Sequence, residues 1–302
     1  METLHIKEIL AKSQPGLSPT SNKRICVCGH EYTHKEWNRP DGSILKDAEL
    51  CSDCKIKKRQ ADQMVELETD LKRVIREEMD WKEDSHIPPY FNLKTFGDYD
   101  GKLQPKAFNA VKNLQWKFED GSPPSSPKSL VLLSPGVYGV GKTHLVCALI
   151  NQIVETEEQA YITGFRIVKR QCPVYFISEN ELLRRIRNTY NRSNAHNDDE
   201  HYEETEENVY NKLARLDLLI IDDVGKVRAK DPSFLQGVYF NIIDQRYNGS
   251  APIILTTNLD FAELENHIGG ACADRLREMC GKNFVKMAGK SYRRINELPQ
   301  KT

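Results

Sequence analysis

No stretch of this 302-residue chain approaches the run of about 18 apolar residues that a membrane span requires. The opening Met1–Leu10 segment lacks the basic flank and apolar centre of a secretory signal, so a cytoplasmic location and no membrane partner are expected. An excess of either charge is also missing. The formal net charge is −1, which excludes nothing about nucleic acid, because a local basic groove can coexist with acidic segments. Cysteine is not scarce, at eight residues, but in a long chain without an export signal metal binding and buried thiols come before disulfides. At roughly 100–200 residues per domain, there is room for one α/β core and a smaller module.

Proline and glycine are absent from Lys55 to Glu83, where Met64, Leu67, Leu71 and Val74 recur at three-and-four spacing. This predicts a charged helical linker with a narrow apolar face. The stripe is too short to argue a coiled coil, so the helix is expected to pack on its own protein. His86-Ile-Pro-Pro-Tyr90 ends it, since proline disfavours helical geometry in the residue before it. The expected division is therefore an N-terminal region, 1–85, and a main domain, 86–302.

A helix over 103–118 and a surface loop at Gly121–Pro127 lead into four apolar runs: Leu130–Leu133, Val174–Ile177, Leu218–Ile221 and Pro252–Leu255. Each reads as a strand buried on both faces, and Asn283–Met287 offers a fifth. Helix-like segments separate them, which predicts an α/β fold with a five-stranded parallel sheet. Asp198–Glu207 carries seven acids and no Lys or Arg, and reads as a solvated insertion.

Directly after the first run comes Gly136-Val137-Tyr138-Gly139-Val140-Gly141-Lys142-Thr143, and His144 continues into a helix. Strand, glycine-rich loop and helix together form a P-loop, whose N–H groups curl around phosphate oxygens at a helix N-terminus. Lys142 is expected to meet the β- and γ-phosphates and Thr143 the Mg²⁺. Leu218-Leu-Ile-Ile-Asp222-Asp223 ends a strand in two acids, where such enzymes keep their magnesium-holding aspartate. Asp222 takes that role and Asp223 that of orienting or deprotonating the attacking water. Asn258, after Thr256-Thr257, fits either a sensor of the γ-phosphate or a turn asparagine. A guanine site would carry an Asn-Lys-x-Asp-like motif, but Asn211-Lys212 is followed by Leu213-Ala214, so ATP is the expected nucleotide.

Cys26-x-Cys28 and Cys51-x-x-Cys54 form two close pairs, the arrangement by which four thiolates hold Zn²⁺. His30 or His34 could replace one ligand. So small a module buries little core, and metal would supply its folding energy. On a helix at 182–190, Leu182, Leu183, Ile186 and Tyr190 share one face and leave Arg184, Arg185 and Arg187 towards the other. Those arginines read either as a track for DNA phosphates or as a solvated basic face.

As an ordered set, these residues resemble the DnaC/IstB-like group of AAA+ ATPases from about Ile87 to Arg294. The matching stretches are Ile87–Tyr90 with Phe96, the P-loop through Leu145, Leu218–Gly225, Ile254–Leu259, Asp274–Met279 and Gly289–Arg293. The resemblance implies a five-stranded AAA+ core, ATP with Mg²⁺, self-association into a homo-oligomer, single-stranded DNA contact, and a replicative helicase or a transposase as partner. It also implies that Arg275 is an arginine finger reaching a neighbour's ATP and Arg293 a second sensor; either could instead be a surface arginine. Asp223 stands where many AAA+ enzymes carry a glutamate. Val137-Tyr138 and Val140 depart from the usual proline or threonine, and the few residues after Tyr292 cannot build a full helical lid. In DnaI-like loaders a comparable N-terminal module engages the helicase, which makes 1–85 a partner-docking region. The combined expectation is an ATPase that loads a replicative DNA helicase onto single-stranded DNA. The alternatives are a transposase helper, or a zinc-containing adaptor using ATP only as a switch.

Overall fold

The computed structural model describes residues 20–38, 42–46, 50–117, 129–192, 204–228 and 231–292. Arg293, the loop at 121–127 and most of the acidic stretch starting at Asp198 lie outside the described residues. The chain divides into two compact units, Met1–Glu78 with Ala160–Lys169, and Met79–Gln159 with Arg170–Thr302.

In the first unit, β1 (Thr20–Ile25), β2 (Glu31–Asn38) and β3 (Ile44–Lys46) form an antiparallel sheet in that order. Sequence reasoning missed these strands. The signal was a period of two in β2, where Tyr32 is half-buried and His34 buried between the exposed Glu31, Thr33 and Lys35. Helix α1 (Ser52–Glu78) stops short of Glu83. The Asp80 carboxylate accepts from the N–H groups of Lys82 (3.1 Å) and Glu83 (3.0 Å), capping a fresh turn, α2 (Trp81–Asp84). Trp81 is fully buried in the second unit's core, so 79–85 pack with that unit, ahead of the division expected at 85/86.

The second unit continues through α3 (Pro105–Lys112), shorter than the 103–118 span expected. Then follow β4 (Leu130–Leu133) and α4 (Lys142–Thr156). The chain next forms a hairpin, β5 (Ala160–Thr163) and β6 (Arg166–Lys169), which packs on α1 in the first unit and was not foreseen. Back in the second unit come β7 (Val174–Ser178), α5 (Glu179–Arg192), α6 (Glu206–Arg215) and β8 (Leu218–Val224). The unit closes with α7 (Pro232–Asn248), β9 (Ile253–Thr257), α8 (Phe261–Ile268), α9 (Gly270–Cys280) and β10 (Phe284–Lys286).

The five expected strands form one parallel sheet in the order β10-β4-β9-β8-β7. Their unbroken apolar character follows from burial on both faces. Leu218 and Ile220 of β8 join a core with Leu145, Val146 and Leu149 of α4, while Leu219 and Ile221 join the opposite core with Leu182, Ile186 and Tyr239. Because all strands run the same way, β4, β8 and β9 deliver their C-terminal segments to one edge. No helix among the described residues is long and apolar enough to cross a membrane.

Candidate nucleotide site and cysteine centre

The P-loop joins β4 to α4 with Gly136, Gly139 and Gly141 at φ of 65°, 74° and 96°. Only glycine suits the last position, because a Cβ there would lie 2.5 Å from Cε2 of Tyr99. The Tyr99 hydroxyl donates to the Val140 carbonyl (3.2 Å), and the Tyr292 N–H donates to the Gly139 carbonyl (2.8 Å). The rings of Tyr99 and Tyr292 stack with centroids 6.4 Å apart. Val137 and Val140, two of the departures from the family pattern, pack into the core, while Tyr138 points outward at 63% exposure. His144 turns towards the preceding linker, with Nε2 3.3 Å from the Thr95 carbonyl.

Lys142 is buried, and its ammonium donates to Oδ1 of Asn258 (2.7 Å) and to the Ser134 hydroxyl. Ser134 in turn donates to the Val137 carbonyl at 2.7 Å. The Asn258 carbonyl accepts the Gly136 N–H at 3.1 Å. These contacts place the Asn258 side chain against the Lys142 ammonium.

Next to them, the Thr143 hydroxyl lies 3.0 and 3.1 Å from the two carboxylate oxygens of Asp222. The Thr256 hydroxyl donates to Asp222 at 2.5 Å and accepts the Asp223 N–H at 3.0 Å. Between β8 and β9 the register runs Ile221↔Leu255 and then Val224↔Thr257, so Asp222 and Asp223 together face Thr256. Such a bulge re-aims side chains, and it leaves Asp223 in left-handed geometry at φ 59° with its carboxylate paired to Lys226. Burial pushes the Asp222 carboxyl up to about 6, reinforced by the charge of Asp223 and opposed by the two threonine hydroxyls. A divalent cation held by Thr143 and Asp222 would remove that penalty. Sequence reasoning missed Ser134, Tyr99, Thr256 and Lys226; only Thr256, within Thr256-Thr-Asn258, stood in a motif already singled out.

Arg275 lies elsewhere. Its guanidinium pairs with Asp244 (2.8 Å), donates to the Ala271 carbonyl (3.1 Å) and sits over the rings of Phe240 and Tyr247. These partners are on α7 and α9, and none belongs to the Lys142–Asp222 group. On α5, Leu182, Leu183 and Ile186 are buried as expected, whereas Tyr190, placed on the same face, is 44% exposed. Arg184 pairs with Glu181, Arg185 with Glu204 and the Tyr175 hydroxyl, and Arg187 covers the Phe234 ring.

In the first unit the four sulfurs of Cys26, Cys28, Cys51 and Cys54 lie within 4.8 Å of one another. The β1–β2 turn presents the first pair and the start of α1 the second. Tetrahedral Zn²⁺ with bonds of about 2.3 Å needs sulfurs about 3.8 Å apart, so this donor set fits. The Cys51 N–H donates to Sγ of Cys26 (3.3 Å), and backbone N–H groups of Cys51 and Cys28 pull the Cys26 thiol down to about 6. His30 has Nδ1 3.7 Å from Sγ of Cys28, and buried His34 lies near Glu36; neither joins the four-sulfur group.

A family model described as IstB-like ATP binding protein matches residues 52–299. The replicative helicase loader DnaC of Escherichia coli (strain K12) is 26% identical over 143 residues, covering 47% of this chain and 48% of that protein. The phage-like element PBSX protein XkdC of Bacillus subtilis (strain 168) is 27% identical over 169 residues, 54% of this chain and 52% of that protein. The chain thus spans about half the length of the curated relatives it matches. A crystal structure of the DnaC helicase loader superposes with a TM-score of 0.48 at 21% identity, covering 67% of this chain and 100% of that one.

Proposed function

From the premise that this chain belongs to the family of IstB-like ATP binding proteins, we propose that it hydrolyses ATP with Mg²⁺ to load a replicative DNA helicase onto single-stranded DNA. The observation that carries the ATPase reading is the convergence of Lys142, Asn258, Thr143 and Asp222 at one sheet edge. Gly136–Thr143 wrap the phosphates, and the Lys142 ammonium exchanges Asn258 and Ser134 for the β- and γ-phosphate oxygens. Thr143 and Asp222 would hold Mg²⁺, which would supply positive charge against the transferred phosphoryl group. Asp223 orients the attacking water and Asn258 contacts the γ-phosphate. Arg275 exchanges its pairing with Asp244 for the ATP of a neighbouring copy, as an arginine finger does.

The helicase partner is inferred from the DnaC match and from the cysteine centre, which in this reading holds structural Zn²⁺. Ile25 and Val27, 78% and 91% exposed beside Cys26 and Cys28, are available to a partner surface. A second reading, a transposase helper, is favoured by the IstB-like description of the matching family, whose match leaves out Cys26, Cys28 and Cys51. Pull-down of the replicative helicase and of the transposase from the same host, with ATPase measured with and without single-stranded DNA, separates the two. Capture of the helicase that depends on the cysteine centre supports loading. Capture of the transposase alone overturns it.

A further inference from the structure

Glu179, the first residue of α5, is 1% exposed and carries a contact set that the nucleotide chemistry leaves unexplained. Its Oε2 accepts the N–H groups of Gly225 and Val227, both at 3.0 Å, in the loop that follows Asp222-Asp223. Its Oε1 accepts the Tyr239 hydroxyl of α7 at 2.8 Å and pairs with Nε2 of His267 on α8 at 2.6 Å. Burying a carboxylate is costly unless its lone pairs are used, and an apolar side chain would serve packing alone. Here both oxygens are spent on one loop and two helices.

The second catalytic loop is joined to the first at the same place. The Thr257 hydroxyl donates to the Val224 carbonyl (2.6 Å) and accepts the Leu259 N–H (3.0 Å). A Cβ on Gly225, at φ 93°, would clash with Leu259, the residue after Asn258. His267 lies on the helix that this second loop enters through the Asp260 cap. Glu179 therefore ties the loop of Asp223 to the helix that follows Asn258.

We infer that Glu179 is a positioning residue that holds the Asp223 and Asn258 loops in register, an inference that rests on the ATPase reading above. Displacing groups near a reacting centre by about 1 Å can cost on the order of 100-fold in rate. Three variants of the full chain test it: Glu179→Met, which fills the space without acceptors, Glu179→Gln, which keeps one, and Tyr239→Phe, which deletes a single donor. Amide exchange and steady-state ATPase are measured on each, with nucleotide affinity measured separately by titration.

Glu179→Met is expected to speed exchange at Gly225 and Val227 while β8 and α4 stay protected. kcat should fall about 10- to 100-fold with KM within about twofold. Glu179→Gln should recover most of both, and Tyr239→Phe should fall between. Unchanged exchange at 225–227 in Glu179→Met and Tyr239→Phe overturns the inference, as does unaltered kcat in an active protein whose loop has loosened. If Glu179→Met does not fold, Tyr239→Phe decides by the same two measurements. A wild-type protein without turnover would sink the ATPase reading, while the exchange data still decide whether Glu179 holds the loop.

Discussion

Replacing Asp222 by asparagine should stabilise the metal-free protein at neutral pH, although it removes a residue assigned to Mg²⁺. Asp222 is 4% exposed, and its carboxyl is raised from 3.8 to about 6, first by burial and then by Asp223. A difference of about two pH units corresponds to about 3 kcal/mol against the ionised form in the folded state. The sign follows from proton binding. Between pH 4 and pH 6, roughly, the folded protein holds the proton that the unfolded chain has lost, so this group's contribution to stability declines as pH rises through that window. The asparagine of Asp222→Asn would not titrate and still offers one oxygen to Thr143 and Thr256. The variant should therefore match wild type near pH 4 and exceed it by about 1–3 kcal/mol above pH 7. Urea unfolding in chelator at pH 4.5 and 7.5 measures this, and MgATP should raise the melting temperature of wild type more than that of the variant. A pH-independent difference, or a variant less stable at pH 7.5, would refute the reasoning.

Lys142→Ala should abolish ATP binding or turnover and leave the fold intact, checked by nucleotide titration beside circular dichroism; unchanged ATPase would sink the reading. Protein purified without chelator should carry about one zinc per chain, lost with local unfolding when Cys51 and Cys54 become serine; elemental analysis finding none rejects the centre. Arg275→Ala should bind ATP yet hydrolyse it about 10³- to 10⁵-fold more slowly, and mixing it with Lys142→Ala should restore some turnover through shared interfaces. Co-assembly without rescue, or full activity of the single variant, returns Arg275 to its role on the α7–α9 surface.

What could be read from the sequence was what is encoded locally. The P-loop is a contiguous pattern with its strand and helix on either side, the apolar runs of β4, β7, β8 and β9 announce burial on both faces, and two cysteine pairs announce a sulfur cluster. What escaped is settled between distant residues. The hydroxyl of Ser134 meets Asn258, Thr256 meets Asp222, and Glu179 reaches Gly225 and His267. Nothing within a window of ten residues distinguishes these from ordinary polar side chains. The bulge at Asp222-Asp223 likewise exists only against β9, and the end of α1 is fixed by Asp80 capping a turn whose Trp81 is claimed by another core.

The β5–β6 hairpin has a consequence for how the chain matures on the ribosome. Its residues, Ala160–Lys169, are made long after α1, whose packing they complete. At about 5–20 residues per second, the interval between Glu78 and Lys169 is on the order of 5–20 s. During that time the half-buried stripe ending in Val74 lacks the hairpin that packs on α1, so this face should stay open until well into synthesis of the second unit. Swapping this unit between relatives would have to carry two separate stretches of gene, because neither alone encodes it.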